Sequence, residues 1–149
     1  MVQTATKHIV SRPSQSKAKV SIFHCANAIS DISLLTKNDF EVSEVKLPCS
    51  SIIRGLFLLR AFEAGADAVL VLVCPEGQCR HLDGNIRAFK RVEYIKKVLD
   101  DIGLGGKRLA IHGVQPQDTS SLADIKRQLL DVVSTLGPNP AAKHLRGYN

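Results

Sequence analysis

Four cysteines, Cys25, Cys49, Cys74 and Cys79, are the residues whose type and placement could do chemistry in this chain. Cys74 and Cys79 stand five positions apart around Pro75 and Gly77, so a turn presents two thiols together. Cys25 ends a β-type run over 20–24, and Cys49 follows Pro48 at the end of an imperfectly alternating one over 40–47. If those runs are neighbouring strands, the thiols collect at one sheet edge. Adjacent strands lie about 4.8 Å apart, so side chains at three neighbouring ends can converge on a small iron-sulfur cluster, for which four thiolates are the usual ligand set. Other uses compete. A single Cys at a strand end is commonly a small buried hydrophobe. Four thiolates also make a structural zinc site, but such sites usually draw on C-x-x-C pairs, and Cys25 and Cys49 stand singly. A disulfide is out of place in a reducing cytoplasm, and the C-x-x-C of a thiol oxidoreductase is missing. His24 and His81 flank the cysteines and could replace a thiolate, although a supporting or solvated role is the plainer reading.

The elements that must position these thiols are legible in the hydrophobic pattern. Residues 68–74 are apolar without a break, as in a strand buried on both faces. Such a strand belongs at the centre of a parallel sheet. Residues 20–24 form a first strand, and Ile29, Ile32 and Leu35 then share one face of a helix over 28–35. Phe40, Val42, Val45 and Leu47 mark a second strand whose imperfect alternation predicts a bulge. Ser50 or Ser51 can cap a helix with Ile52, Ile53, Leu56, Leu59 and Ala61 or Phe62 as its buried stripe, stopped at Gly65. Asp83 can cap a long helix carrying Ile86, Phe89, Val92, Ile95, Leu99 and Ile102 inward, with Arg87, Lys90, Arg91, Lys96 and Lys97 outward. A fourth strand over 108–114 and a last helix over 118–136 follow. Four strands alternating with four helices predict an α/β fold, a flavodoxin-like parallel sheet in the order 2-1-3-4 with helices on both faces. The carboxyl ends of strands 1, 2 and 3 then lie side by side, where open α/β sheets keep their chemistry.

The chain has 149 residues, enough for one domain with its own core. Its formal charge of +6 sits mostly in the tails: residues 18–137 hold 15 basic against 14 acidic residues. With 5% aromatics and no Trp there is no stacking platform, which argues against nucleic acid. No apolar run approaches the roughly 20 residues of a membrane span, and the polar amino terminus lacks the apolar centre of a secretory signal. The expected organisation is a flexible basic arm over 1–17, an iron-sulfur α/β domain over 18–137 and a flexible tail over 138–149, in a cytoplasmic protein. Gly103, Gly105 and Gly106 end a helix and so do not cradle a phosphate. No Ser/His/Asp order or carboxylate pair suggests catalysis. The basic face at Arg87, Lys90 and Arg91 begins beside the cysteine loop and could serve docking.

Several segments carry a family resemblance: Cys49-Ser50, the run from Arg60 to Asp67, Cys74 with Cys79, Gly84-Asn85 with Ala88 and Arg91-Val92, Leu99, Ile102-Gly103 and Arg108-Leu109. In these the chain resembles the small iron-sulfur delta subunit of methyl-viologen-reducing hydrogenase. The resemblance implies a 2Fe-2S cluster, no substrate site of its own, and a place in a large cytoplasmic electron-transfer complex. Its partners would be a flavoprotein subunit of the heterodisulfide reductase type and other iron-sulfur redox subunits. Such relatives accompany hydrogenases, formate dehydrogenases, methylenetetrahydrofolate reductases and class II benzoyl-CoA reductases in anaerobes. The chain departs from the family at Cys25-Ala26-Asn27-Ala28, where C-x-x-C is common, and at Val73, often Gly. A cluster with thiolate ligands only must therefore use all of Cys25, Cys49, Cys74 and Cys79. Otherwise it takes a ligand such as His24, or it has been lost. The expectation is a non-catalytic electron-transfer protein; the alternative is a cluster-free structural adapter.

Overall fold

The computed structural model of the chain describes residues 17–142. Strand β1 (Ala18–Cys25), a single helical turn α1 (Ser33–Thr36), β2 (Phe40–Leu47), α2 (Gly55–Glu63), β3 (Ala68–Val73), α3 (Gly84–Asp101), β4 (Leu109–Gly113) and α4 (Thr119–Leu136) follow in order. The four strands form one sheet in the order β2-β1-β3-β4, and every neighbouring pair is parallel. That is the expected flavodoxin-like α/β arrangement. All six residues of β3 are buried, because its continuous apolar sequence lets helices cover both faces. On one face Val20, Ile22, Leu70 and Leu72 pack with Ile29, Leu35, Leu122, Ile125 and Leu129. On the other, Phe23, Val69, Val71 and Val73 pack with Leu58, Phe62, Val92, Ile95 and Leu99. Each such side chain withdrawn from water contributes about 1.5–3 kcal/mol, so the sheet is a firm platform for its loops.

Several local expectations are corrected. The helix over 28–35 shrinks to one turn, because the Asp31 carboxylate accepts from the Ser33 N–H and hydroxyl and restarts the helix there. Ile29, Ile32 and Leu35 are nevertheless buried as expected. Strand β2 has no bulge: it runs in register with β1 from Ala18↔Phe40 to Cys25↔Leu47. Its mixed alternation arises because Phe40 and Val42 serve one face of the sheet and Val45 and Leu47 the other.

The helix expected from Ser50 is interrupted. Ser50–Ile52 form a 3-10 turn capped by the Cys49 sulfur, and Ile53 is extended before α2 starts at Gly55. The Arg91 guanidinium donates to the carbonyls of Ser51 and Ile53, drawing them out of a continuous helix. Ile53 and Phe62 are buried as expected, but the late start buries Leu58 and leaves Leu56 more than half exposed. Arg91 is accordingly an inward strut and not part of an outer basic face. In α3 the buried stripe is Ala88, Val92, Ile95 and Leu99, while Ile86, Phe89 and Ile102 are exposed. The Asp83 side chain does not cap this helix; it pairs with Arg87 at 3.1 Å.

The arm over 1–17 and the tail over 138–149 lie outside the described residues, except for Lys17 and 138–142. Within these, packing continues past Gly137-Pro138. Asn139 is wholly buried; its N–H donates to Asp67 Oδ1 at 2.8 Å, and its amide donates to the carbonyls of Phe62 and Ala66 at 2.9 and 2.7 Å.

Candidate metal centre

Parallel register places the four cysteines at one edge. Cys25 is the last residue of β1 and pairs with Leu47 at the end of β2, which leads through Pro48 to Cys49. Cys74 follows β3 directly, and the turn over 75–78 brings the chain back to Cys79, closed by the Gln78 N–H on the Pro75 carbonyl at 3.0 Å. Gly77 supports this turn with φ +78°, open to glycine at little cost. Cys25, Cys49 and Cys74 are buried and Cys79 is partly exposed; all four are free thiols.

The thiols meet in two pairs. The sulfurs of Cys25 and Cys74 are 3.8 Å apart. The sulfurs of Cys49 and Cys79 lie together at the first residue of α3. Both crowd onto Gly84, where a Cβ would stand 2.7 Å from the Cys49 sulfur and 3.2 Å from that of Cys79. Both pairs stand at the carboxyl ends of β1 and β3 and in the turns that follow β2 and β3. Two thiolates about 2.3 Å from one tetrahedral metal lie about 3.8 Å apart, which is the spacing of Cys25 and Cys74. No three His, Cys, Asp or Glu side chains among the described residues converge as ligands of a single metal ion. Cys25 with Cys74, and Cys49 with Cys79, are the side chains at this edge that could hold a metal cofactor.

The electrostatics of the pairs differ. Burial, then the adjacent Cys25 thiol as charge and as hydrogen-bond partner, push Cys74 up to about 12. Burial acts on Cys79 in the same direction but is outweighed: N–H groups of the His81, Asn85 and Gly84 backbone and the Cys49 side chain hold its thiol below the ordinary value. The Ser51 N–H donates to the Cys49 sulfur at 3.4 Å. Cys25 faces the Pro48 carbonyl oxygen at 3.9 Å.

Three residues outside the expected ligand set shape the site. Gly84 supplies the gap into which two sulfurs fit. Asn85, buried to 1% exposure, donates to the carbonyls of Cys74 and Pro75 at 3.0 and 2.9 Å, and its own oxygen accepts from the Ile86 N–H. Arg91 holds the turn after Cys49. The sequence signal for them is the Gly-Asn pair that opens a helix directly behind the cysteine loop. Leu82, in that loop, has φ +64° and is 88% exposed, an arrangement that stores backbone strain. His24 is buried with Nε2 2.7 Å from Glu44 Oε1, so β2 engages that nitrogen. Its Nδ1 has no hydrogen-bond partner among the described residues. His81 contributes its backbone N–H to the site.

Comparison with known proteins gives the same direction. Residues 20–137 match the family described as methyl-viologen-reducing hydrogenase, delta subunit. The chain is similar to the vhu iron-sulfur subunit of the F420-non-reducing hydrogenase of Methanococcus maripaludis, 35% identical over 99 residues, which are 66% of this chain and 74% of the relative. The protein of the same name from Methanocaldococcus jannaschii is 35% identical over 96 residues, 64% of this chain and 72% of its own. A longer protein also aligns: a ferredoxin:CoB-CoM heterodisulfide reductase subunit of Methanosarcina mazei is 27% identical over 116 residues, 76% of this chain but only 15% of that protein. The matched residues include all four cysteines of the site just described and all of the sheet but the first two residues of β1, and the chain belongs to the family of the methyl-viologen-reducing hydrogenase delta subunit.

Proposed function

We propose that the chain is an electron-transfer subunit that holds one 2Fe-2S cluster on Cys25, Cys49, Cys74 and Cys79. It relays electrons between a flavoprotein subunit of the heterodisulfide reductase type and another redox subunit of a large cytoplasmic complex. The observation that carries this reading is the convergence of all four cysteines, as two neighbouring pairs, at the carboxyl edge of the sheet. The names of its relatives support iron-sulfur chemistry in a multi-subunit oxidoreductase. The aligned stretch within a heterodisulfide reductase polypeptide supports a flavoprotein of that type as neighbour, since a domain joined to a partner in one protein commonly docks on it in another.

When bound, a 2Fe-2S cluster takes up and releases single electrons. The chain's residues do the rest. Cys25 and Cys74 supply ligands from the ends of two adjacent strands, so the rigid sheet fixes their separation. Cys49 and Cys79 come from turns held by Arg91 and Asn85. The N–H groups of Ser51, His81, Gly84 and Asn85 offset thiolate charge. No helix among the described residues is long and apolar enough to cross a membrane, and four free thiols suit a reducing compartment.

The test is iron, zinc and sulfide content, with an electron paramagnetic resonance spectrum, of protein purified anaerobically with its complex and reduced with dithionite. About two irons and two sulfides per chain with a 2Fe-2S signal are expected, and Cys49→Ser or Cys74→Ser should leave the cluster labile or absent. One zinc without a signal overturns the reading. A metal-free chain still bound to its complex would make it the structural adapter.

A further inference from the structure

We infer that the two thiol pairs are unequal, Cys49 and Cys79 holding the iron that accepts the electron while Cys25 and Cys74 hold the iron that stays ferric. The inference rests on the cluster proposed above. A reduced 2Fe-2S cluster confines its extra electron to one iron, and the added negative charge spreads onto that iron's sulfurs. N–H donors aimed at those sulfurs stabilise it, and an apolar or carbonyl-lined surrounding opposes it. The donors fall on one pair. The Ser51 N–H donates to Cys49 at 3.4 Å, and the Cys79 sulfur lies against Gly84 at the start of α3, where the first N–H groups of the helix have no intrahelical partner. Helix α3 also starts at Gly84, so its positive end adds to the same side.

The other pair has the opposite surroundings. Cys25 and Cys74 are 2% and 4% exposed and lie in an apolar cluster with Ala28, Ile29 and Val114. The polar neighbour of the Cys25 sulfur is the negative end of the Pro48 carbonyl. Among the described residues no N–H group donates to either sulfur. Reduction by a one-electron donor such as the radical anion of dithionite, itself oxidised to sulfur dioxide, converts one ferric ion to ferrous, with no bond to iron made or broken and no proton moved.

Mössbauer spectra and reduction potentials of iron-enriched wild-type, Cys79→Ser and Cys25→Ser protein test this, with Cys49→Ser and Cys74→Ser as the second member of each pair should one variant lose its cluster. A serine oxygen disfavours ferrous iron and alters the spectrum of the iron it binds. The expected result is the larger fall in potential for serine at position 79 or 49. Serine at 25 or 74 should perturb the ferric doublet, leave the ferrous one unchanged and move the potential less. A larger fall for serine at 25 or 74, or a perturbed ferrous doublet there, overturns the assignment alone. Wild-type protein without iron overturns the cluster reading and this inference together.

Discussion

The side-chain amide of Asn85 donates to the carbonyl oxygen of Cys74 at 3.0 Å, tying the first turn of α3 to the end of β3 across the loop that carries Cys79. A second bond to the Pro75 carbonyl and the return bond from the Ile86 N–H make Asn85 a clamp with little freedom. Asn85→Ala leaves the buried Cys74 carbonyl without its side-chain donor, at a cost of about 1–3 kcal/mol, while the Pro75 carbonyl keeps the Gln78 N–H. The metal-free variant should unfold at a clearly lower urea concentration than wild type, and the loaded variant should surrender iron to a chelator faster. An unchanged midpoint and unchanged iron release would remove the clamp from the account of this site.

Gly84→Ala tests the site without touching a ligand. Its Cβ would enter the space of two sulfurs and of the Ser51 Cβ, which stands 3.2 Å away. Gly84 is the first residue of α3, so the preference for Ala over Gly, about 1 kcal/mol in a helix interior, offsets little of the crowding in the thermal stability of the metal-free protein. Iron content, by contrast, should fall steeply, because the Cys49 sulfur must rotate out of place. Full iron occupancy in this variant would count against the close approach of Cys49 and Cys79 to the helix.

Alkylation of the metal-free protein should follow thiolate character and access. The thiolate attacks, not the thiol, so a lowered pKa raises the reactive fraction near neutrality and a raised one removes it. Cys79, partly exposed and held down by backbone N–H groups against its burial, should label first as pH rises from neutrality. Cys74, pushed up to about 12 by burial and then by Cys25, should label last, as unfolding exposes it. Mass mapping of iodoacetamide adducts over time reads the order; Cys74 ahead of Cys79 would reverse the electrostatic picture.

Arg108 is a structural counterpart at the far end of the sheet. It is 4% exposed and donates to the carbonyls of Leu104, Asp67, Leu136 and Gly137 at 2.9–3.0 Å, locking the end of α4 and the segment that follows onto the sheet. Arg108→Ala should cost on the order of 3 kcal/mol or more in urea unfolding, as bonds from a charged donor are worth about 1.5–3 kcal/mol each. At a temperature where the variant is folded, its iron stoichiometry should match wild type. Loss of iron from a folded Arg108→Ala protein would show that the cysteine edge depends on the opposite edge.

The strand order was legible because one chemical fact dominates it: residues 68–74 have no polar side chain to offer water, so β3 must lie inside a covered sheet with the other strands around it. That order alone carries Cys25, Cys49 and Cys74 to one edge. In α3 Val92, Ile95 and Leu99 are buried as expected, with Ala88 in place of Ile86 and Phe89, but the start of α2 was not legible. Leu56 looks as apolar as Leu58, and Arg91, drawing two carbonyls out of the preceding turn, delays the start of α2 and leaves Leu56 exposed. Residue type likewise marked His24 as a candidate ligand, whereas register placed its Nε2 against Glu44 on β2.

By itself, then, the sequence determined the fold class, the sheet order and the gathering of four thiols, all consequences of period and burial along the chain. Tertiary structure decided how those thiols pair, which pair receives backbone N–H groups, and that the space for two sulfurs is the missing Cβ of Gly84. Those are contacts between segments up to 49 residues apart, Cys25 with Cys74. They depend on the angles at which turns leave the sheet, a property no spacing along the chain encodes.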